Sequence, residues 1–329
     1  MQYSRYKDEN SITCLLCQHY CTLKESKHGI CGINFNEDTE LTNKTYNHPS
    51  AINIDPIEKK PLYHFLPTSR SLSIGTVGCN FRCPFCQNYS ISQTSVVNTD
   101  VTYTPHDIVA LALQHQVESI SYTYNEPTIW YPYAKDIGIL AKEHGIKNIF
   151  VSSGYESVEV LKDMKSWVDA VNIDLKSFSS NYYKKVLKTD LYGVLNSLKE
   201  FAKSDIWLEI TTLLIPDVND SDEEILEMAQ FISSELGTDI PWHFSAFHPD
   251  YKLLDKPRTP ITTLFRAKEI AQSFGIQYIY IGNIVNDNST YCPTCKSLLI
   301  QRDGFESKIV NMNKNRCSTC ETIIEGVFK

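Results

Sequence analysis

No stretch of the 329-residue sequence is apolar for long enough to cross a bilayer, so a helical membrane protein is excluded. The opening MQYSRYKDEN is polar and charged and lacks the apolar centre of a secretory signal, and a cytoplasmic location is expected. Positive charge is also in deficit. With 31 Lys and Arg against 39 Asp and Glu, the formal charge is −8 and the pI is near 5.6. That balance gives no global electrostatic footprint for nucleic acid or an anionic membrane surface, so neither is an expected partner. Low-complexity tracts are missing. Cysteine is absent between Cys86 and Cys292, which marks that region as scaffold.

Outside that region cysteine is abundant, with eleven in the chain. They fall into three groups: Cys14, Cys17, Cys21 and Cys31; Cys79, Cys83 and Cys86; Cys292, Cys295, Cys317 and Cys320. An odd total cannot pair off within one chain, and a reducing compartment disfavours disulfides. Metal or cluster ligation is the better expectation.

The cysteine-free region alternates strand-like and helix-like segments. Short, β-branched or aromatic, largely apolar runs predict strands over 72–77, 119–124, 148–152, 170–175, 206–215, 243–247 and 277–281. Helices are predicted over 105–114, 133–143, 157–165, 192–202, 222–235 and 262–273. Thr104-Pro105 and Ser221 supply start signals, and Gly145, Gly237 and Gly275 supply stop signals. Six β/α units imply parallel strands with helices outside, read as a partial (β/α)6 TIM-like barrel whose chemistry belongs at the C-terminal strand ends. The polar segment 37–50 and a break at 286–290 delimit an N-terminal cysteine-rich module (1–50), the barrel (51–287) and a C-terminal zinc-ribbon-like module (288–329).

The string IGTVGCNFRCPFCQN, residues 74–88, follows a predicted strand and spaces its cysteines x3 then x2. Three such thiolates can wrap one face of a cubane cluster and leave the fourth iron open, whereas a structural zinc loop would draw its fourth ligand from elsewhere. The spacing, with Phe85 before the last cysteine, resembles the radical S-adenosylmethionine (SAM) signature. That resemblance implies a 4Fe-4S cluster on Cys79, Cys83 and Cys86, SAM chelated at the open iron, and reductive cleavage to a 5′-deoxyadenosyl radical. It places Phe85 near the adenine. Tyr124-Asn125-Glu126-Pro127 stands where this superfamily contacts the methionyl ammonium, with Asn125 and Glu126 as acceptors. Ser153 in Ser152-Ser153-Gly154 resembles a residue that reaches the ribose or methionine. Asp174 and Lys176 resemble the Asp-Leu-Lys of glycyl-radical activases, Lys176 facing the SAM carboxylate and Asp174 orienting it or facing substrate. His243 stands where those activases have a SAM-contacting histidine, with His248 as a second candidate. Glu209 is a polar residue inside an apolar strand and is expected to point into the barrel.

Cys292-x2-Cys295 and Cys317-x2-Cys320 are two tight knuckles of the kind that close a zinc ribbon, with a rubredoxin-like iron site as the alternative. The tail is too short for a substantial core, so its metal is expected to supply much of its folding energy. The N-terminal set, spaced x2, x3 and x9, fits either zinc or a second cluster.

Residues 57–66, the cysteine loop, 122–128 and 240–251 together resemble the radical SAM component of the AmmeMemoRadiSam system, over essentially the whole chain. Such proteins are similar to pyruvate formate-lyase activating enzymes. The resemblance implies hydrogen abstraction by the 5′-deoxyadenosyl radical, an electron donor such as flavodoxin or ferredoxin, and Memo-type and AMMECR-type partners. A glycyl-radical-enzyme activase is the first alternative, although many activases carry extra cysteines directly after the cluster loop rather than at the termini. A metal-stabilised module binding RNA or protein is the second, weakened by the acidic balance.

Overall fold

In the computed structural model the chain is described from Tyr3 to Phe328; Met1, Gln2 and Lys329, at the outer ends of the terminal modules, lie outside the described residues. One sheet contains eight strands: β1 (Ala51–Pro56), β2 (Arg70–Gly75), β3 (Ser119–Tyr122), β4 (Lys147–Ser152), β5 (Ala170–Asp174), β6 (Trp207–Leu214), β7 (Trp242–Ala246) and β8 (Ile279–Gly282). Neighbours in sequence are neighbours in the sheet. β1 runs antiparallel to β2, and every later pairing is parallel. The six parallel crossovers carry α1 (Pro105–Gln114), α2 (Tyr131–Glu143), α3 (Val158–Met164), α4 (Leu191–Ala202), α5 (Asp222–Phe231) and α6 (Ile261–Ser273). Because β1 and β8 are the edges of the sheet, the barrel is open, in agreement with the partial (β/α)6 reading.

The seven expected strands and six expected helices are all present. The parallel strands are apolar because both faces are covered: every residue of β3 is buried, as are five of the six in β2. Local signals set the helix starts. Thr104 and Asp107 form a reciprocal capping box at α1, and Ser157, Asp190 and Ser221 each cap a helix through a side-chain oxygen. Gly145, Gly237 and Gly275 take positive φ just past helical segments. The helix expected over 222–235 stops at Phe231 and continues as a π-turn, Ile232–Leu236. β1 was not foreseen, because AINIDP is a half-exposed edge strand ending in proline and its partner lies beyond a long loop.

The core is aromatic on the α2 side. Trp167 is buried edge-on against Tyr122 and Phe150. Gly138 on α2 makes this possible, since a Cβ there would stand 2.1 Å from the Trp167 ring.

The N-terminal module is a three-stranded antiparallel sheet, Ser4–Asp8, Ser11–Cys14 and Thr22–Lys24, followed by a hairpin of Asn34–Glu37 and Glu40–Asn43. The polar segment 37–50 therefore includes a strand, whose exposed ribbon faces account for its composition. This module is sewn to the barrel: the Gln18 amide donates to the Glu156 and Gly193 carbonyls, and Ser157 Oγ donates to Leu15 O.

The C-terminal module has its own small sheet, Thr290–Tyr291, Leu298–Asp303 and Glu306–Ile309, and a short hairpin, Met312–Asn313 with Arg316–Cys317. Its core is shared. Leu299, Ile300 and Ile324 pack with barrel residues Tyr63, Tyr278 and Tyr280. Arg302 reaches back, donating to Tyr63 O at 2.7 Å and Thr290 Oγ1 at 2.7 Å, and it lies 4.2 Å over the Tyr63 ring. Barrel contacts thus support the short tail. No described helix is long and apolar enough to cross a membrane.

Candidate active site and metal centres

A cavity of about 570 Å³ opens at the C-terminal ends of the parallel strands, where this architecture places chemistry. Cys79, Cys83 and Cys86 all line it. The loop carrying them follows β2. Cys79 and Cys83 are buried and Cys86 is half-buried. Burial pushes the Cys83 thiol up to about 12 and the Cys79 thiol well above its ordinary value, so ligation must displace their protons. The Phe81 N–H donates to Cys79 Sγ at 3.3 Å, a bond suited to a thiolate. Phe85 is buried and lines the same cavity.

Gly78 is where the loop needs glycine. Its φ is +89°, and a Cβ there would meet Cys31 O at 2.8 Å and Ile33 Cγ2 at 2.9 Å. The N-terminal module therefore presses on the cysteine loop itself.

Glu126 follows β3 and sits in the cavity wall, 2% exposed. Its Oε1 accepts from Thr128 Oγ1 at 2.6 Å and Ser152 Oγ at 2.9 Å, and its Oε2 accepts from the Ser153 N–H at 2.8 Å. Ser153 also lines the cavity. Behind them lies Glu156, fully buried, with Ser152 Oγ at 2.5 Å from its Oε1 and no partner for Oε2. Burial, then the neighbouring Glu126 charge, raises Glu156 to about 7. Sequence reasoning missed Glu156, because nothing local distinguishes a glutamate just before a helix N-cap. Asn125 lines the cavity too, but its amide is engaged: Oδ1 accepts from Thr76 N–H and Trp130 Nε1, and Nδ2 donates to Thr76 Oγ1 and Gly78 O. Its visible work is to tie the cysteine loop to the end of β3.

Asp174 and Lys176, at the end of β5, the neighbour of β4, also line the cavity and are paired at 2.6 Å. Burial opposes the Lys176 charge, but Asp174 and the Cys83 thiol outweigh it and hold the ammonium above its ordinary value. A buried, firmly charged lysine beside a cysteine ligand can receive a carboxylate.

His243 on β7 lines the cavity and hydrogen-bonds through Nε2 to Glu209 Oε2 at 2.7 Å. Glu209 on β6 does point into the barrel, fully buried beneath the histidine. It accepts from Tyr63 N at 2.9 Å, His64 N at 2.7 Å and Trp207 Nε1 at 3.0 Å as well. Burial alone would raise its pKa, but the His243 hydrogen bond and the nearby histidines outweigh this and hold it below its ordinary value. His248 is apart from this group: half-exposed, with Nδ1 3.4 Å from Gln87 Nε2.

The three cysteine groups differ in geometry. In the C-terminal set Cys292 Sγ lies 3.6 Å from Cys320 Sγ, and Cys295 Sγ lies 3.6 Å from Cys317 Sγ; all four sulfurs are within 4.8 Å of one another. Sulfurs about 2.3 Å from one tetrahedral ion stand about 3.8 Å apart, so this set fits a single ion. Among the described residues it is the only group that close; the central three and the N-terminal four are spread more widely. All eleven thiols are free.

The sequence profile of the Radical SAM superfamily matches residues 73–229, from β2 into α5. Uncharacterized protein MJ0808 of Methanocaldococcus jannaschii is 43% identical over 307 residues, covering 92% of this chain and 91% of that protein. Putative glycyl-radical enzyme activating enzyme MJ1632 of the same organism is 26% identical over 219 residues, covering 65% of this chain and 81% of that protein. The fold is shared with a radical SAM methyltransferase from Sphaerobacter thermophilus, at a TM-score of 0.51 and 16% identity over 66% of this chain and 67% of that one.

Proposed function

The chain belongs to the radical SAM superfamily and is an enzyme, and from that premise we propose that Cys79, Cys83 and Cys86 hold a 4Fe-4S cluster with SAM at its open iron. When bound, this pair supplies a 5′-deoxyadenosyl radical through one-electron reductive cleavage of the sulfonium, for hydrogen abstraction from a substrate C–H. The observation that carries the reading is convergence: three cysteines from one loop, Glu126, Ser153, Asp174 and Lys176 from three strand ends, and His243 from within β7 line one cavity of about 570 Å³.

Each residue has a role consistent with its surroundings. Glu126, held by four donors from Thr128, Ser152 and Ser153, presents a carboxylate for the methionyl ammonium. Lys176 receives the methionyl carboxylate while Asp174 holds it in place. Phe85 packs against the adenine, and Asn125 keeps the cysteine loop registered to β3. His243 is fixed by Glu209 in one orientation. The C-terminal four-thiolate site takes zinc and serves as structure.

Similarity to a protein named as a putative glycyl-radical enzyme activating enzyme supports an activase as a second reading, in which the hydrogen is taken from a protein backbone. Either chemistry requires a one-electron donor of the flavodoxin or ferredoxin type. Memo-type and AMMECR-type proteins are the further partners we propose. A cytoplasmic setting fits a chain whose cysteines are all unpaired.

The test is anaerobic reconstitution with iron and sulfide, then dithionite and SAM, with 5′-deoxyadenosine quantified by mass spectrometry. Cys83→Ala is expected to lose both the central cluster and the product. Cleavage at the wild-type rate in that variant overturns the assignment.

A further inference from the structure

We propose that Cys14, Cys17, Cys21 and Cys31 hold a second, redox-active iron–sulfur cluster that contacts the SAM-site cysteines through Asn80. The inference rests on the central cluster proposed above only for its redox partner, not for the existence of the site.

The four thiols converge. Cys21 and Cys31 Sγ flank Gly29, lying 3.6 and 3.7 Å from where its Cβ would be. The Cys14 N–H donates to Cys21 O at 2.9 Å, a turn closed by Tyr20 N–H on Cys17 O at 3.1 Å lies between them, and Asn34 Nδ2 donates to Cys31 Sγ at 3.4 Å. They are nonetheless not close enough together for one tetrahedral ion, whereas the C-terminal four are. Thiolates that bind separate irons of a cluster stand further apart than thiolates sharing one ion, and the central three show that wider spread in the same molecule. The C-terminal set is thus gathered tightly enough for one ion, and the N-terminal set, like the central three, is not.

Asn80 is the independent observation. It is fully buried inside the cysteine loop, and its Nδ2 meets no oxygen or nitrogen acceptor; the group its side chain hydrogen-bonds is the Cys17 sulfur. The side chain lies between the two groups: it bears on the Cys17 thiol, and its Oδ1 is 4.0 Å from Cys79 Sγ. A buried amide N–H whose acceptor is a cysteine sulfur suits a ligated thiolate at Cys17, and such hydrogen bonds to sulfur are among the groups that tune a cluster's potential. The surrounding contacts hold the two loops in register. His19 Nε2 lies 3.1 Å from Asn80 O, and Arg82 donates to Cys79 O at 2.7 Å and to Ile30 O beside Cys31. The Arg82 guanidinium also places positive charge between two sets of thiolates.

The redox step is a single electron transfer. The N-terminal cluster loses one electron, the central cluster gains it, and a low-potential donor of the flavodoxin or ferredoxin class, or dithionite in vitro, restores the first. No bond forms or breaks in the transfer.

The deciding sample is the full chain with Cys79, Cys83 and Cys86 all changed to Ala, reconstituted anaerobically. The expected result is about four iron and four sulfide per chain, with about one zinc, and a cluster signal in the electron paramagnetic resonance spectrum after reduction. About two zinc and no iron overturns the proposal. In that background Asn80→Ala is expected to lower the cluster's midpoint potential, because hydrogen bonds to sulfur stabilise the reduced state. An unmoved potential removes Asn80 from the site. In the reduced wild-type chain the two signals are expected to broaden by mutual coupling, and two unperturbed signals overturn the contact. A chain that holds both clusters yet makes no 5′-deoxyadenosine refutes the function proposed above while leaving this site intact.

Discussion

Replacing Glu209 by glutamine changes one oxygen to an amide at the centre of four converging donors. Oε1 faces His64 N–H and Trp207 Nε1–H, which cannot become acceptors. Oε2 faces Tyr63 N–H and His243, whose ring nitrogen can switch tautomer. The new amide therefore settles toward His243 and leaves the Tyr63 N–H unpaired in a buried site. An unpaired buried donor costs about 1–3 kcal/mol, and the bonds that remain lose their charge assistance, so the expected total is about 2–4 kcal/mol. At roughly 2–4 °C per kcal/mol for a domain somewhat smaller than this one, the melting temperature should fall by about 5–10 °C. The pH dependence follows from the direction of the shift. Glu209 is held below its ordinary pKa, so its stabilisation is fully present above the carboxylate's normal value of 4.5 and is lost as pH falls through the depressed value. The wild-type chain should lose this increment on acidification, and Glu209→Gln should not. Differential scanning calorimetry from about pH 7 down to about pH 2 measures both. A variant melting within about 1 °C of wild type at pH 7, where the magnitude above predicts several degrees, refutes the account of a charged carboxylate holding His243.

Arg302→Leu should release the C-terminal module from the barrel. It leaves Tyr63 O without its donor and the buried Glu58, 4.0 Å away, without a cation, a loss of about 3–5 kcal/mol; hydrogen exchange over 288–328 should rise well before global unfolding. Cys317→Ala should lower the zinc count and loosen the same segment, and unchanged zinc by elemental analysis would show that this set does not bind it. Gly138→Ala sets a gain of about 1 kcal/mol in helix propensity against a clash with the Trp167 ring at 2.1 Å; overpacking of about 1–3 kcal/mol should win, and a raised denaturant midpoint would contradict that.

Much of the architecture is legible in local sequence. Strand–helix alternation, Thr104, Ser157 and Ser221 as caps, and glycines past the helix ends are short-range signals, and the structure keeps them. Cysteine spacing is equally local: a x2 knuckle presents two thiolates to one ion whatever surrounds it, and the C-terminal sulfurs converge accordingly. The polar Glu209 inside an apolar strand announces itself because burying a carboxylate demands partners, yet the sequence does not say which partners.

Those partners were decided only in three dimensions. Glu209 meets the backbone of residues 63 and 64 and a histidine from the next strand; Glu156 shares a serine with Glu126; Asn80 bridges cysteines more than sixty positions apart. The support of the short C-terminal tail by Tyr63, Tyr278 and Tyr280 was invisible for the same reason. Turns, caps and ligand spacings are contacts between near neighbours and depend on few residues. Buried hydrogen-bond networks and shared cores join segments far apart in the chain, so their members are selected by the assembled open barrel and the two modules packed upon it.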